Sequence, residues 1–596
     1  MSNHEYPRPQ LKREQWMNLN GIWGFSFDDL NIGHREQWFK PDFVFKEKIN
    51  VPFVFQTKKS GIHDLTPHDH LWYQRKFSIP ESWNERIILH FEAVDYLCEV
   101  YLNGHYLGNH QGGYNRFSFD ITNTIQKGEQ ILSVYVFDPT FEERILRGKQ
   151  AWTKDHHSIW YPRSSGIWQT VWLENVSKHA INSIKMTPHI DDGSLELVLE
   201  TKSNTEKKLC VTIYDNNEVI VKDDYWIKDR LHRTVQVWEN KIFLSNFHEH
   251  GKTWSPEHPF LYKIKFEIIV ENQVVDLAES YFGMRKIHTE NGMIYLNNKP
   301  YYLKLILDQG YYQDSLLTAP NDEALINDIH LAKSMGFNGC RKHQKIESER
   351  FLYYADHMGY LVWGELPSSA AFDSSWIAQT QFEWSKMIER DYNHPSIIAW
   401  VPLNESWGVP MIRSSKIEQN YARGLYHLTK ALDPTRIVIS NDGWEQVGGD
   451  ICAIHHYNHG KVDDLNKQNA FKESLRTKEN LLNAMPANRT IYTSGFTYEG
   501  QPILLTEFGG ISFTEGIKNG WGYSHVNDNI TFLKEYERLI NAVKDSEVLA
   551  GFCYTQFSDV EQEINGLVNY DRSLKVSLEE LKKINDSVSF MVNKIK

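Results

Sequence analysis

Residues 393–408 read NHPSIIAWVPLNESWG. An apolar run over 397–403 leads straight into an amide and a carboxylate, Asn404 and Glu405. A buried strand that stops in this way presents both groups beyond its end, which is how barrel enzymes place reactive side chains. Residues 502–510, PILLTEFGG, share the design: apolar 503–505, then Thr506 and Glu507, with glycines leaving room for close approach. The two stretches together predict that Glu405 and Glu507 face one another.

The surroundings extend this pattern. From about residue 289, apolar strands alternate with helical segments, which signals a parallel α/β fold. Strands are expected at 301–307, 337–341, 360–363, 397–403, 437–440, 451–455, 503–505 and 551–555, the eight that a (β/α)8 TIM barrel requires. Between the first two, Leu325, Ile329, Ala332 and Met335 recur at helical spacing, with Asn321 or Asp322 as cap and Gly336 as terminator. Glu405 and Glu507 are 102 residues apart, about three units at roughly 31 residues each, so they end strands 4 and 7. The strand ends are polar: Asp308, Arg341 with His343, Glu365, Asn404 with Glu405, Asn441 with Asp442, His456 with Tyr457, Glu507, and Gln556 with Asp559. Buried carboxylates cost stability unless paired, so such a ring points to a site.

Upstream, residues 16–175 read as short strands and turns, with runs at 71–79, 86–92 and 97–102, then Asn103-Gly104 as a hairpin turn. The stretch 166–174, GIWQTVWLE, reads as one strand covered on both faces. Residues 177–286 again give closely spaced strands, at 195–199, 209–214, 234–237 and 262–270, which suits an immunoglobulin-like sandwich. No low-complexity linker or internal repeat separates the parts, so firm packing between domains is expected.

Composition narrows the partners. A chain of 596 residues exceeds one core. The net charge of −13 argues against nucleic acid or an anionic membrane surface, since both need basic patches. The start has no signal-like apolar region, and no run of about 20 apolar residues occurs; a cytoplasmic protein is expected. Five scattered cysteines read as buried reduced thiols. The 26 histidines show no zinc-ligand spacing. Aromatic residues make up 13% and serve sugar stacking or core packing equally.

Several stretches, namely LNGIWGFSFDD at 19–29, VPFVFQ at 51–56, YLNGHYLG at 101–108 and GIWQTVWLE at 166–174, resemble the jelly-roll sugar-binding domain of glycoside hydrolase family 2. WSPEHPFLY at 254–262 and FGMRKIH at 282–288 resemble its second domain and the junction with the third. The Asn404-Glu405 pair and the Thr506-Glu507-Phe508-Gly509 run resemble its two catalytic motifs. The resemblance implies a jelly-roll domain at 1–176, an immunoglobulin-like β-sandwich at 177–286 and a catalytic TIM barrel at 287–596.

It further implies a retaining exo-β-glycosidase. Glu507 is then the nucleophile, and Glu405 the acid/base, held protonated by its surroundings and by the neighbouring carboxylate charge. Asn404 contacts the sugar 2-hydroxyl, and Tyr457 orients the nucleophile. Asp308, Arg341 and His343 fit either an ion-pair cluster or recognition of substrate hydroxyls, and Trp444 either stacks on sugar or packs. Arg341 matches the family in GFNGCR at 336–341, but Gln344 stands where many relatives carry histidine. Thr555 stands where many carry tryptophan. Neither a metal nor a cofactor is required, although some relatives bind Mg2+ near the acid/base. The expected partner is a carbohydrate, with homo-oligomer formation open.

The leading substrate reading is a terminal neutral sugar, β-galactosidase-like. Members acting on glucuronides resemble one another in an Asn-x-Lys element near the matching Gly566, whereas this chain has Glu561-Gln562-Glu563-Ile564-Asn565. Lys518 or Arg572 are the other candidate sources of a cation. The alternatives are β-glucuronidase, arabinosidase or galactofuranosidase activity, the latter two favoured by LDQGYY at 307–312 and RKHQK at 341–345, or a non-catalytic carbohydrate-binding protein.

Overall fold

The computed structural model describes residues 6–238, 252–513 and 520–588. Its first unit stacks two antiparallel sheets. Four strands run in the order Trp16–Asn18, Val171–Val176, Arg86–Phe91, Phe117–Asp120, and six in the order Glu47–Val51, Gly21–Phe27, His70–Ser78, Glu129–Phe137, Leu97–Leu102, His105–Gln111. Trp23, Phe25, Tyr73, Leu89, Val134 and Leu173 fill the space between them. The turn at Asn103 and Gly104 has φ of +53° and +79°, the left-handed pair that two-residue hairpins favour. The stretch 166–174 is not one strand. Gly166–Ile167 pairs with Asp95 and Val94, while Val171–Val176 pairs with Arg86–Phe91. Between them Trp168 leaves the ladder to donate its Nε1–H to the Gly113 carbonyl at 2.7 Å.

The second unit is a sandwich of three and four strands. Ile181–His189, Ser194–Thr201 and Arg230–Gln236 face Glu218–Ile227, Lys207–Asp215, Tyr262–Val270 and Gln273–Phe282, the strand count of a constant-type immunoglobulin domain.

The third unit is the barrel: β1 Leu303–Asp308, β2 Gly339–Lys342, β3 Leu361–Glu365, β4 Ile397–Val401, β5 Ile437–Val438, β6 Cys452–His455, β7 Ile503–Gly509 and β8 Leu549–Thr555. They lie parallel in the order β5-β4-β3-β2-β1-β8-β7-β6. The helix α1, Asp322–Ser334, is capped by the Asn321 side chain on the Ala324 N–H, and Gly336 follows at φ +90°. β4 stops at Val401, because Pro402 has no N–H for the ladder.

Alternation along these strands decides which side chains reach the site. Leu303, Leu305 and Leu307 join the interior core with Trp363, Val401, Ala453 and Cys553, whereas Ile306, Cys340, Ile454 and Phe552 face the helices. The same parity turns Arg341, Glu365 and His455 inward. β7 breaks the rule: its register shifts between Leu505 and Phe508, a bulge that re-aims Glu507 into the barrel.

The units are locked together as expected. Arg13 pairs with Asp276 at 2.8 Å, Trp254 donates to the Asp356 carbonyl at 2.7 Å, and Asn115 donates to the Glu383 carbonyl at 3.1 Å. All five cysteines are buried and unpaired. Among the described residues, no helix is long and apolar enough to cross a membrane.

Candidate active site

Arg341 is the hub of the barrel mouth. Fully buried, it reaches Glu365 at 2.7 Å, Glu507 at 2.8 Å and Asp442 at 3.0 Å, and donates to Asn404 Oδ1 at 2.5 Å. Burial alone would strip its charge; the three carboxylates override that and hold it protonated. Glu365 in turn accepts from the Gln344 N–H at 3.1 Å and lies 3.0 Å from His343 Nδ1, which faces Arg341 Nη2 at 3.2 Å.

Glu507 has both oxygens engaged, Oε1 by Arg341 and Oε2 by the Tyr457 hydroxyl at 2.6 Å. Tyr457 is itself fixed, stacked on Tyr523 with centroids 3.5 Å apart and bonded to Thr555 Oγ1 at 2.9 Å. Thr555 thus serves as a hydrogen-bonding position beside the nucleophile candidate.

Glu405 stands on strained backbone. Its φ is +51° and that of Ser406 is +60°, left-handed values that cost non-glycine residues energy and gather at functional sites. The turn is held by the Glu405 N–H on the Asp442 carbonyl at 2.9 Å, by Ser406 N–H on Asn441 Oδ1 at 3.0 Å, and by Ser406 Oγ on Glu445 at 2.8 Å.

His455 lies between the two glutamates. Nδ1 donates to Glu405 Oε1 at 2.8 Å, and Nε2 faces Asp442 Oδ1 at 3.2 Å and Glu507 Oε1 at 3.4 Å. Burial opposes charge on this ring, but the carboxylates of Glu507 and Asp442 win and push its pKa up to about 10. The resulting imidazolium corrects one expectation. Burial raises the Glu405 pKa, yet the bond from His455 outweighs it, and the carboxyl sits below its ordinary value rather than above.

The remaining candidates separate. Asn404, His343 and Tyr457 line the same recess as Glu405 and Glu507. Asp308 does not line it: outward parity turns it to Lys342 at 2.7 Å. Trp444 packs edge-on against His455, with centroids 5.6 Å apart, outside that lining. His456 faces Ser474. Arg572 is committed to Asp328 at 3.0 Å, and Lys518 lies outside the described residues.

Sequence reasoning missed His455, although its parity with inward Ala453 marked it. It also missed Lys149 and Trp160, which enter the recess from the first unit, and Trp407, Tyr523 and the role of Glu563 as a lining residue. Glu563 accepts from the Tyr161 hydroxyl and from Asn565 Nδ2 at 3.1 Å. One atom each of Glu405, His455 and Glu507 fall within 4.8 Å of one another. The Arg341 guanidinium and the imidazolium already supply the positive charge there, which opposes a metal ion.

Three family models match in tandem: "Glycosyl hydrolases family 2, sugar binding domain" over 16–176, "Glycosyl hydrolases family 2" over 179–285 and "Glycosyl hydrolases family 2, TIM barrel domain" over 287–590. The chain belongs to glycoside hydrolase family 2. It is an O-glycosyl hydrolase of the retaining type, acting on a carbohydrate. A β-glucuronidase of Streptococcus agalactiae is 24% identical over 96% of both chains. A β-galactosidase of Thermoanaerobacter pseudethanolicus is 27% identical over 65% of this chain and 52% of its own. The structure of a β-glucuronidase from Ruminococcus gnavus with D-glucuronic acid superposes with a TM-score of 0.78 at 19% identity, covering 97% of this chain and 99% of that one. That likeness is one of fold.

Proposed function

We propose that this family 2 enzyme is an exo-acting retaining β-glycosidase in which Glu507 is the nucleophile and Glu405 the acid/base. The observation that carries the reading is the separation of the two carboxylates, with an oxygen of each within 4.8 Å of the other. Retaining enzymes hold their carboxyls about 5–5.5 Å apart, and inverting enzymes leave roughly 6.5–9.5 Å for a water. Glu507 is held by Arg341 and Tyr457, so it attacks from a fixed geometry. The proton for the leaving oxygen is carried by the Glu405–His455 pair across its 2.8 Å contact. After glycosyl-enzyme formation the same pair takes a proton from the incoming water. Asn404, oriented by Arg341, faces the 2-hydroxyl.

The sugar taken is neutral and β-galactoside-like. Glu563 lines the recess as a carboxylate oriented by Tyr161 and Asn565, suited to accept from a sugar hydroxyl and repulsive toward a sugar carboxylate. Hydrolysis of uronides is the alternative, since relatives of both names fit the chain. A panel of aryl β-galactoside, β-glucoside, β-glucuronide, pentoside and furanoside substrates at near-neutral pH tests both parts. The expected result is the highest kcat/KM on a neutral glycoside. A β-glucuronide exceeding every neutral sugar overturns the substrate, and no turnover of any glycoside overturns the reaction.

A further inference from the structure

One charged group in the recess is bonded neither to the two glutamates nor to the residues that hold them. Lys149 retains 6% of its surface exposure and lines the recess. Its ammonium lies over the rings of Trp160 at 5.3 Å and Tyr161 at 5.5 Å, and among the described residues no carboxylate or carbonyl pairs with it. An ammonium has three donor hydrogens, and those of Lys149 open onto the recess with aromatic faces beside them.

The position is built rather than incidental. Gly148 has φ +61°, and a Cβ there would come within 2.1 Å of the Gln344 carbonyl oxygen. The N–H groups of Arg147 and Gly148 bond to the Ser368 carbonyl at 3.2 and 3.0 Å. The Tyr161 N–H bonds to the Lys149 carbonyl at 2.8 Å, and that of Ala151 to the Tyr161 carbonyl at 2.9 Å. The loop is therefore clamped to the barrel on one side of Lys149 and to itself on the other.

The place is the acid/base side. Trp160 stands perpendicular to Trp407 with centroids 4.7 Å apart, and Trp407 is two residues beyond Glu405. Lys149 is among the cations that lower the Glu405 carboxyl. The acid/base faces the leaving oxygen, so what lies beside it belongs to the leaving group. A neutral hydroxyl would accept from the ammonium but leave its charge unmatched; a carboxylate does both.

We propose that Lys149, walled by Trp160 and Trp407, forms a leaving-group subsite for a ring that carries a carboxylate. This rests on Glu405 as acid/base. The test uses two aryl glycosides of the same sugar whose phenols match in acidity, one bearing a ring carboxylate. Effects transmitted through Glu405 cancel in the ratio of their kcat/KM values. The parent is expected to favour the carboxylated substrate by about 10- to 100-fold, the range of a hydrogen bond to a charged group. Lys149→Met removes that preference and Lys149→Arg keeps most of it. An equal ratio in the parent, or a ratio unmoved by Lys149→Met, overturns the subsite while leaving the glycosidase reading intact. A Lys149→Met loss confined to uronide sugars with neutral leaving groups places the lysine against the glycon and also overturns it. Absence of turnover on both substrates overturns the acid/base assignment and the subsite with it.

Discussion

The ends of β4 and β7 present the same side chain in opposite ways. Glu507 sits within a continuous strand, turned inward by a bulge, its side chain 6% exposed, with both oxygens held by Arg341 and Tyr457. Glu405 lies past the end of its strand on left-handed backbone, its side chain 16% exposed, held through one oxygen by an imidazolium. A nucleophile gains from rigidity because its geometry enters the transition state directly. An acid/base must exchange protons with substrate and water, and a titratable partner with an open side serves that. The difference is what the proposed roles would ask of two residues identical in type.

The largest expected effect comes from the fixed side. Glu507→Gln keeps shape and hydrogen bonding but deletes the nucleophile, and kcat/KM is expected to fall by at least about a thousandfold with the thermal melt retained. Activity within about tenfold of the parent would remove Glu507 from the chemistry.

On the open side the effect should depend on the substrate. Glu405→Ala is expected to reduce hydrolysis of alkyl glycosides by about a hundredfold or more, and of aryl glycosides with acidic phenols far less, because good leaving groups need no proton. Azide should restore turnover by entering the vacated space and give a β-glycosyl azide from a β-glycoside. An α-glycosyl azide would contradict the contrast, since it requires a single displacement.

The fixed side can also be loosened without deleting its carboxylate. Tyr457→Phe removes one of the two donors on Glu507, and a hydrogen bond to a charged group is worth about 1.5–3 kcal/mol. A loss of about tenfold or more in kcat/KM is expected, on alkyl and aryl substrates alike. A loss confined to alkyl glycosides would tie Tyr457 to the proton donor instead.

What the sequence revealed follows the range of each signal. Apolar runs, the Asn321 cap and the Asn103-Gly104 turn are local, and all eight barrel strands appear where those signals lie. Parity along a strand is also local, and it separates inward Arg341 and His455 from outward Asp308. Glu507 escapes that rule because a bulge has no signature in an apolar run. The break at Trp168 depends on an acceptor, Gly113, 55 residues away. Lys149 and Trp160 reach the site only because one domain docks on another, and that docking rests on contacts such as Gly148 against Gln344 that no spacing encodes.

The smallest effect probes why Glu405 is ionised at rest. His455 has its pKa raised to about 10 by Glu507 and Asp442 against the opposing pull of burial, from about 6.5 in an unfolded chain. Between those values the native state holds the extra proton, so stability falls as pH rises. The contribution is complete below about pH 6.5 and lost as pH passes through about 10. His455→Asn cannot take that proton. The parent is therefore expected to exceed the variant in unfolding free energy most at pH 6, less at pH 8 and least near pH 10, measured by denaturant titration at each. A difference constant over that range would mean that the imidazole is neutral, and the charge separating the two carboxylates would then have to come from Arg341 alone. A difference that grows with pH would mean that the native imidazole holds its proton more weakly than the unfolded one, and Glu405 would then lose the cation that keeps it ionised.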